Sequence, residues 1–179
     1  MKQNFIGISK CLALSGVTDF SFCDEESLWR GSEVHRIVEL ADRGTLNEKS
    51  VPKDMQGYRE AHRLFMRETG FICTHIEFSV QSKELGVRGR IDRAGIMKGK
   101  GTVCDFKTGP INPAVALQLV LGGHLLDPSH WYQRLAVQLK ADGSYSAKSY
   151  PLLSWHSDLA TALACARVAR WKIQQKLVK

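Results

Sequence analysis

The sequence predicts a mixed α/β domain with an antiparallel core, on three observations. Apolar spacing in the first third is helical, with Val34, Ile37, Val38 and Ala41 on one stripe. Beyond Gly70 the period falls to two: Ile76, Phe78 and Val80 alternate with Glu77 and Ser79, and Val87, Gly89 and Ile91 with Arg88, Arg90 and Asp92. Two turn signals, Lys98-Gly99 and Ala141-Asp142-Gly143-Ser144, each fall between apolar runs that suit hairpin strands. The expected order is helix, helix, three strands, helix, two strands, helix.

Each element has a local cause. The first thirty residues read as irregular, broken by Gly7, Gly16 and Gly31. Ser32 is placed to cap the first helix, which ends at Arg43-Gly44. After a loop to Asp54, an amphipathic helix runs from Met55 to Glu68 and stops at Gly70. Strands follow at 76–80 and 87–92, with a third from Thr102 to Thr108. Asn112 as cap and Pro113 at the first helical position open a helix to Leu126. Strands at Trp131–Lys140 and Tyr145–Tyr150 precede a long helix capped by Ser157.

The chain has 179 residues, 44% hydrophobic and 24% charged, with no repeat, low-complexity tract or linker. These values predict a single domain over 1–179 and exclude disorder. With 15 Gly and 5 Pro, a collagen-like chain is excluded too. The longest apolar run, Leu117–Leu126, is broken by Gln118, Gly122, Gly123 and His124, short of the ~18 residues a bilayer needs. Residues 1–10 lack the apolar stretch and small-residue cleavage site of a secretory leader, so the expected location is cytoplasmic, without a membrane partner. Cys11, Cys23, Cys73, Cys104 and Cys165 form no CxxC pair, which argues for reduced thiols and against zinc ribbons or iron–sulfur clusters. A net charge of +7 points to an anionic partner without naming one.

The segment that carries chemistry is Gly86 to Gly109. A two-residue loop at Lys98-Gly99 sets Met97 opposite Lys100, Asp92 opposite Asp105, and Arg90 opposite Lys107. Directly opposed residues share a face with Cβ atoms ~5 Å apart, and Asp105 and Lys107 share one by being two apart. Two carboxylates so close need a compensating cation, which a hard divalent ion such as Mg²⁺ supplies through oxygen ligands. A lysine beside them can orient a water or offset developing charge on a phosphorus centre, the logic of metal-assisted phosphodiester hydrolysis. Taken alone, the same residues also suit a salt-bridge cluster on a solvated strand face. Arg88, Arg90 and Arg93 flank Asp92 and can meet DNA phosphates, solvated strand charges being the alternative. Trp131 and Tyr132 are candidates for base stacking or for core packing.

The run Gly-Arg-Ile-Asp-Arg at 89–93, then Asp105-Phe106-Lys107-Thr108-Gly109, then Ala116-Leu117-Gln118, resembles the motifs of the PD-(D/E)XK nuclease superfamily. The likeness is to its RecB-like and phage-type exonuclease branch, in which an upstream helix carries a histidine, here within Gly31-Ser-Glu-Val-His35. The motif core spans about 31–126, and Arg134 to Tyr145 resembles the strand pair that follows it in phage members.

The resemblance implies a restriction-endonuclease-like core: a central mixed sheet with an antiparallel hairpin, flanked by helices. It implies Asp92, Asp105, His35 and the Phe106 backbone carbonyl as ligands of Mg²⁺ or Mn²⁺, with Glu77 a further candidate. Lys107 becomes the catalytic lysine, and Gln118 a contact to substrate or to the active-site loop. The implied activity is a DNA exonuclease of phage or bacterial recombination and repair. A structure-specific endonuclease, or a DNA-binding or assembly module with little turnover, stands as the alternative. A single-strand annealing or recombinase protein is the implied partner, and a homo-oligomer is a state to be measured. One departure stands out: the branch has a tyrosine four residues after the glutamine, and here that residue is Gly122.

Overall fold

A computed structural model describes residues 5–19 and 24–178; Cys23 lies outside the described residues. The strands are β1 (Ile6–Gly7), β2 (Ile72–Ser82), β3 (Val87–Met97), β4 (Lys100–Lys107), β5 (Gln133–Leu139) and β6 (Tyr145–Tyr150). The helices are α1 (Ile8–Leu14), α2 (Glu25–Asp42), α3 (Gln56–Thr69), α4 (Val115–Leu126) and α5 (Trp155–Gln174). All six strands join one sheet, in the order β1-β3-β4-β5-β6, with β2 along the other edge of β3. The expected mixed α/β fold with a central mixed sheet is the one observed.

The antiparallel expectation holds for β2–β3, β3–β4 and β5–β6, whereas β1–β3 and β4–β5 are parallel. The parallel step is made by α4, which crosses from β4 to β5 over one face of the sheet. The first thirty residues are more ordered than their glycines suggest. Ile6 and Gly7 pair with Val87 and Arg88, and Ile8 starts a short helix. The helix expected from Ser32 begins at Glu25, because the Asp24 carboxylate accepts the Ser27 amide at 2.7 Å and Gly31 continues the helix. The last helix starts at Trp155, two residues before Ser157.

Two layers cover the sheet. Val34, Ile37 and Val38 of α2 and Ala61 and Phe65 of α3 pack with Cys104, Phe106, Leu135 and Val137. On the other face Val115, Ala116 and Leu119 of α4 meet Val80, Ile91, Val103 and Ala136. The outer side of α4, Leu117, Val120 and Leu121, is covered in turn by α1 and α5 through Leu12, Cys165 and Ala166. A helix enclosed on both sides has no polar stripe, so its single Gln118 is conspicuous. Among the described residues no helix is long and apolar enough to cross a membrane.

Arg93, expected among the DNA contacts, is fully buried. Its Nε donates to Asp42 Oδ2 at the end of α2, its Nη1 donates to Glu77 Oε1 at 3.0 Å, and its guanidinium lies 5.5 Å from the Phe106 ring centroid. On the far side of Asp42, His62 of α3 approaches with Nε2 3.1 Å from Oδ1. These four polar groups sit under α2 and α3, so Arg93 ties the sheet to its helical layer and cannot reach a phosphate. Arg93→Leu strands two buried carboxylates and is expected to lower stability by about 3–5 kcal/mol in urea unfolding. Arg88→Ala, at an exposed position of the same strand, stays within about 0.5 kcal/mol.

Candidate active site

The hairpin register is as the loop at Lys98-Gly99 predicts: Met97 faces Lys100 and Arg93 faces Cys104. Lys98 and Gly99 have φ of 50° and 75°, the two positive values of a type I′ turn. The rungs stop at Arg93, one short of the expected pairing of Asp92 with Asp105 and well short of Arg90 with Lys107. There the strands part, and the Phe106 N–H donates to Asp92 Oδ2 at 2.9 Å.

The parting comes with a local break in the pleat. In a regular strand Ile91 and Arg93 share a face. Here Ile91 packs against α4 while Arg93 lies under α2 and α3. On the neighbouring strand Glu77, between the rungs Ile76–Arg93 and Phe78–Ile91, has φ 48°, in the left-handed region that a non-glycine residue seldom occupies. Asp92 therefore stands in the plane of the sheet, bordering one cleft on the α4 side and another on the α2 side.

On the α4 side lies Asp105, 4% exposed. Gln118 Nε2 donates to its Oδ1 at 3.0 Å, and Lys107 Nζ lies 2.8 Å from its Oδ2 as an ion pair, outside hydrogen-bond geometry. Burial, together with the charge of Asp92, pushes the Asp105 carboxyl up to about 6, with Lys107 pulling the other way. Burial acts to lower the Lys107 ammonium, but Asp105 and Asp92 outweigh it and hold the lysine above its ordinary value. Lys107 is thus a fixed cation.

On the α2 side His35 points Nδ1 at Asp92 Oδ2, 3.6 Å away, and at Glu77 Oε1, 3.8 Å away. Burial would lower this imidazole, but Asp92, Glu77 and Asp105 overcome it and raise the ring to about 9. Ligand atoms of His35, Glu77 and Asp92 lie within 4.8 Å of one another, a spacing that can hold a metal ion. Glu77 already has cations of its own, Arg93 Nη1 at 3.0 Å and Arg90 Nε at 3.2 Å. Asp105 is outside that group of three, which differs from the expected set of His35, Asp92 and Asp105. Its buried Oδ2, with Lys107 as its neighbour, is nonetheless an oxygen donor that a divalent ion would satisfy. A strand residue's N–H and C=O face the same edge, so the Phe106 carbonyl opens onto this split as well.

The other expectations fall as follows. Arg88 is exposed on the cleft rim, and Arg90 is exposed at 66% of its side chain while bound to Glu77. Trp131 stacks edge-on with His156 beside the Thr102–Gln133 rung, about 17 Å along β4 from Lys107, and so stands away from the site. Asp42 and His62 were not singled out from the sequence. Asp42 falls two helical turns from His35 on one face of α2, which is the sole signal that could have linked them.

No protein-family model and no curated protein matches the chain. Among solved structures, a candidate exonuclease from Eubacterium rectale superposes with a TM-score of 0.57 at 10% sequence identity, covering 95% of this chain and 83% of that one. An alkaline exonuclease from Laribacter hongkongensis gives a TM-score of 0.38 at 12% identity, covering 98% and 94%. The fold is therefore shared with the first of these.

Both shifted acids hold a proton more tightly when folded than when unfolded, so the stability they add is present in acid and lost as pH rises. For Asp105 the loss runs from about 4 through about 6, and for His35 from about 6.5 through about 9. Asp105→Asn abolishes the first step. In chelator, wild type is expected to lose about 2 kcal/mol of urea-unfolding stability relative to this variant between pH 4 and pH 7.

Proposed function

We propose that the protein is a deoxyribonuclease dependent on Mg²⁺ or Mn²⁺, acting as an exonuclease in DNA recombination or repair. The observation that carries this reading is Asp105: a buried carboxylate beside Asp92, bound by Gln118 and touched by Lys107 at 2.8 Å. A carboxylate so placed is costly unless it serves a cation or a reacting group.

His35, Asp92, Asp105 and the Phe106 carbonyl would hold the ion, with Glu77 beside them kept by Arg90 and Arg93. The chemistry supplied by an ion held there would be polarisation of the scissile phosphate and acidification of a water. The chain's own groups do the rest. Gln118 fixes the Asp105 carboxylate, so the ligand does not have to be ordered at the moment of reaction. Lys107, kept charged by its neighbours, positions the attacking water and offsets negative charge gathering on the phosphate oxygens. Arg88 and Arg90 hold the DNA backbone without reading bases.

Digestion of linear DNA should require Mg²⁺ or Mn²⁺ and fall at least 100-fold in Asp105→Ala and in Lys107→Ala. Equal degradation by all three proteins overturns the catalytic assignment, and no degradation by any favours a binding module. A covalently closed circle separates the two nuclease modes, since an exonuclease leaves it intact. His35 must lose its proton to bind an ion, so Mn²⁺ affinity measured by calorimetry should climb with pH until about 9, and His35→Gln should flatten that climb.

A further inference from the structure

We propose that the cleft on the α4 side of Asp92 and Asp105 seats one unpaired nucleotide, with its base against Ile91, Leu119 and the bare backbone of Gly122. The proposal rests on the nuclease reading and adds to it a substrate form: an end whose terminal base is free of pairing.

The cleft exists because β3 loses its neighbour. β1 pairs with β3 at Val87 and Arg88, and β4 pairs with the same edge from Arg93 onward. Between them residues 89–92 have no strand partner on that edge among the described residues, and a cleft of about 560 Å³ opens there. That size lies within the range of small-ligand seats and far below what a stacked duplex occupies. Asp92, Asp105 and Gln118 line the cleft, and Arg88 and Arg90 are exposed on its rim. The rest of the wall is largely apolar, with Ile8, Ile91, Val103 and Leu119, and Ser9 and Ser79 add hydroxyls to it.

The glycines of α4 supply the second line of argument. Gly122 and Gly123 lie inside a helix, where each glycine is unfavourable relative to alanine. Gly123 has a packing cause, since a Cβ there would come within 3.0 Å of the Trp155 ring and 3.3 Å of Tyr132. Gly122 has none so severe. Its Cβ would rest on Ile91 at 3.4 Å, an ordinary contact, and anything longer would extend into the cleft that both residues line. What Gly122 preserves is open space beside the acidic pair.

An apolar slot beside a phosphate-handling centre suits a base outside the double-helical stack. Taking a base from the stack has an unfavourable free energy, smallest for a base already mismatched or single-stranded. An apolar wall accepts any base, since each presents a π-face.

The test uses the full chain with Mn²⁺. Wild type should degrade a single strand, or a duplex with a mismatched terminal pair, at least tenfold faster than a fully paired blunt end. By calorimetry it should bind deoxyadenosine 5′-monophosphate at least tenfold more tightly than deoxyribose 5-phosphate. Gly122→Leu should remove both preferences while Mn²⁺ affinity stays within twofold, and Gly122→Ala, whose Cβ fits, should keep most of each. Equal rates on paired and unpaired ends, or equal binding of the two phosphates by wild type, overturns the proposal. If wild type degrades no DNA, the nuclease reading fails, and the comparison of the two phosphates still decides whether the cleft takes a base.

Discussion

The amide of Phe106 lies inside a sheet and must find an acceptor, and the acceptor it finds is the carboxylate of Asp92. In an uninterrupted hairpin that bond would go to a backbone carbonyl of β3. Replacing the carbonyl by a side chain moves the strands apart and leaves Asp92 in the sheet plane, open to both layers. It also engages one oxygen of Asp92, which keeps the other orientations of that carboxylate few. Asp105, one residue before Phe106, is thereby brought beside Asp92 without a rung between them. The acidic pair is thus a product of a broken ladder, and the left-handed Glu77 on β2 shows that the break is carried across to the next strand.

Charge then explains the company these acids keep. Asp42, Glu77, Asp92 and Asp105 face three permanently cationic side chains, Arg90, Arg93 and Lys107. The raised basicity of His35 is the response: a proton on its ring supplies positive charge where Asp92 and Glu77 are closest. A divalent ion would do the same work at the same place. Proton and ion are therefore competitors for one deficit, which is why a histidine rather than a further arginine suits that position.

Much of this was legible in the sequence, and the limits have physical causes. Local signals served well: the turn at Lys98-Gly99 placed Met97 against Lys100, and the Gly70 stop and both hairpins lie where expected. Alternation gave the right neighbours for Asp92, Asp105 and Lys107, but it assumes an unbroken pleat, and the pleat breaks at Asp92. Non-local pairings were invisible. Nothing in residues 131–140 says that β5 lies parallel to β4, or that Ile6 and Gly7 join β3. Arg93 shows the same limit in a side chain. An arginine among alternating charges looks solvated, and its burial depends on Asp42, fifty-one residues earlier.

Those distances in the chain also bear on how the site can exist at all. Its groups come from α2, β2, β3, β4 and α4, every one on a regular element and none on a loop. Side chains anchored in this way hold position more closely than loop residues do. The same arrangement makes the site inseparable from the global fold, because no pair of neighbouring elements contains both His35 and Gln118. Arg93 binds the two demands together. By holding Glu77 and Asp42 at once, it fixes the α2 layer over β3, so the interaction that secures the helix also decides which carboxylate at the split is already neutralised and which is left to seek a cation.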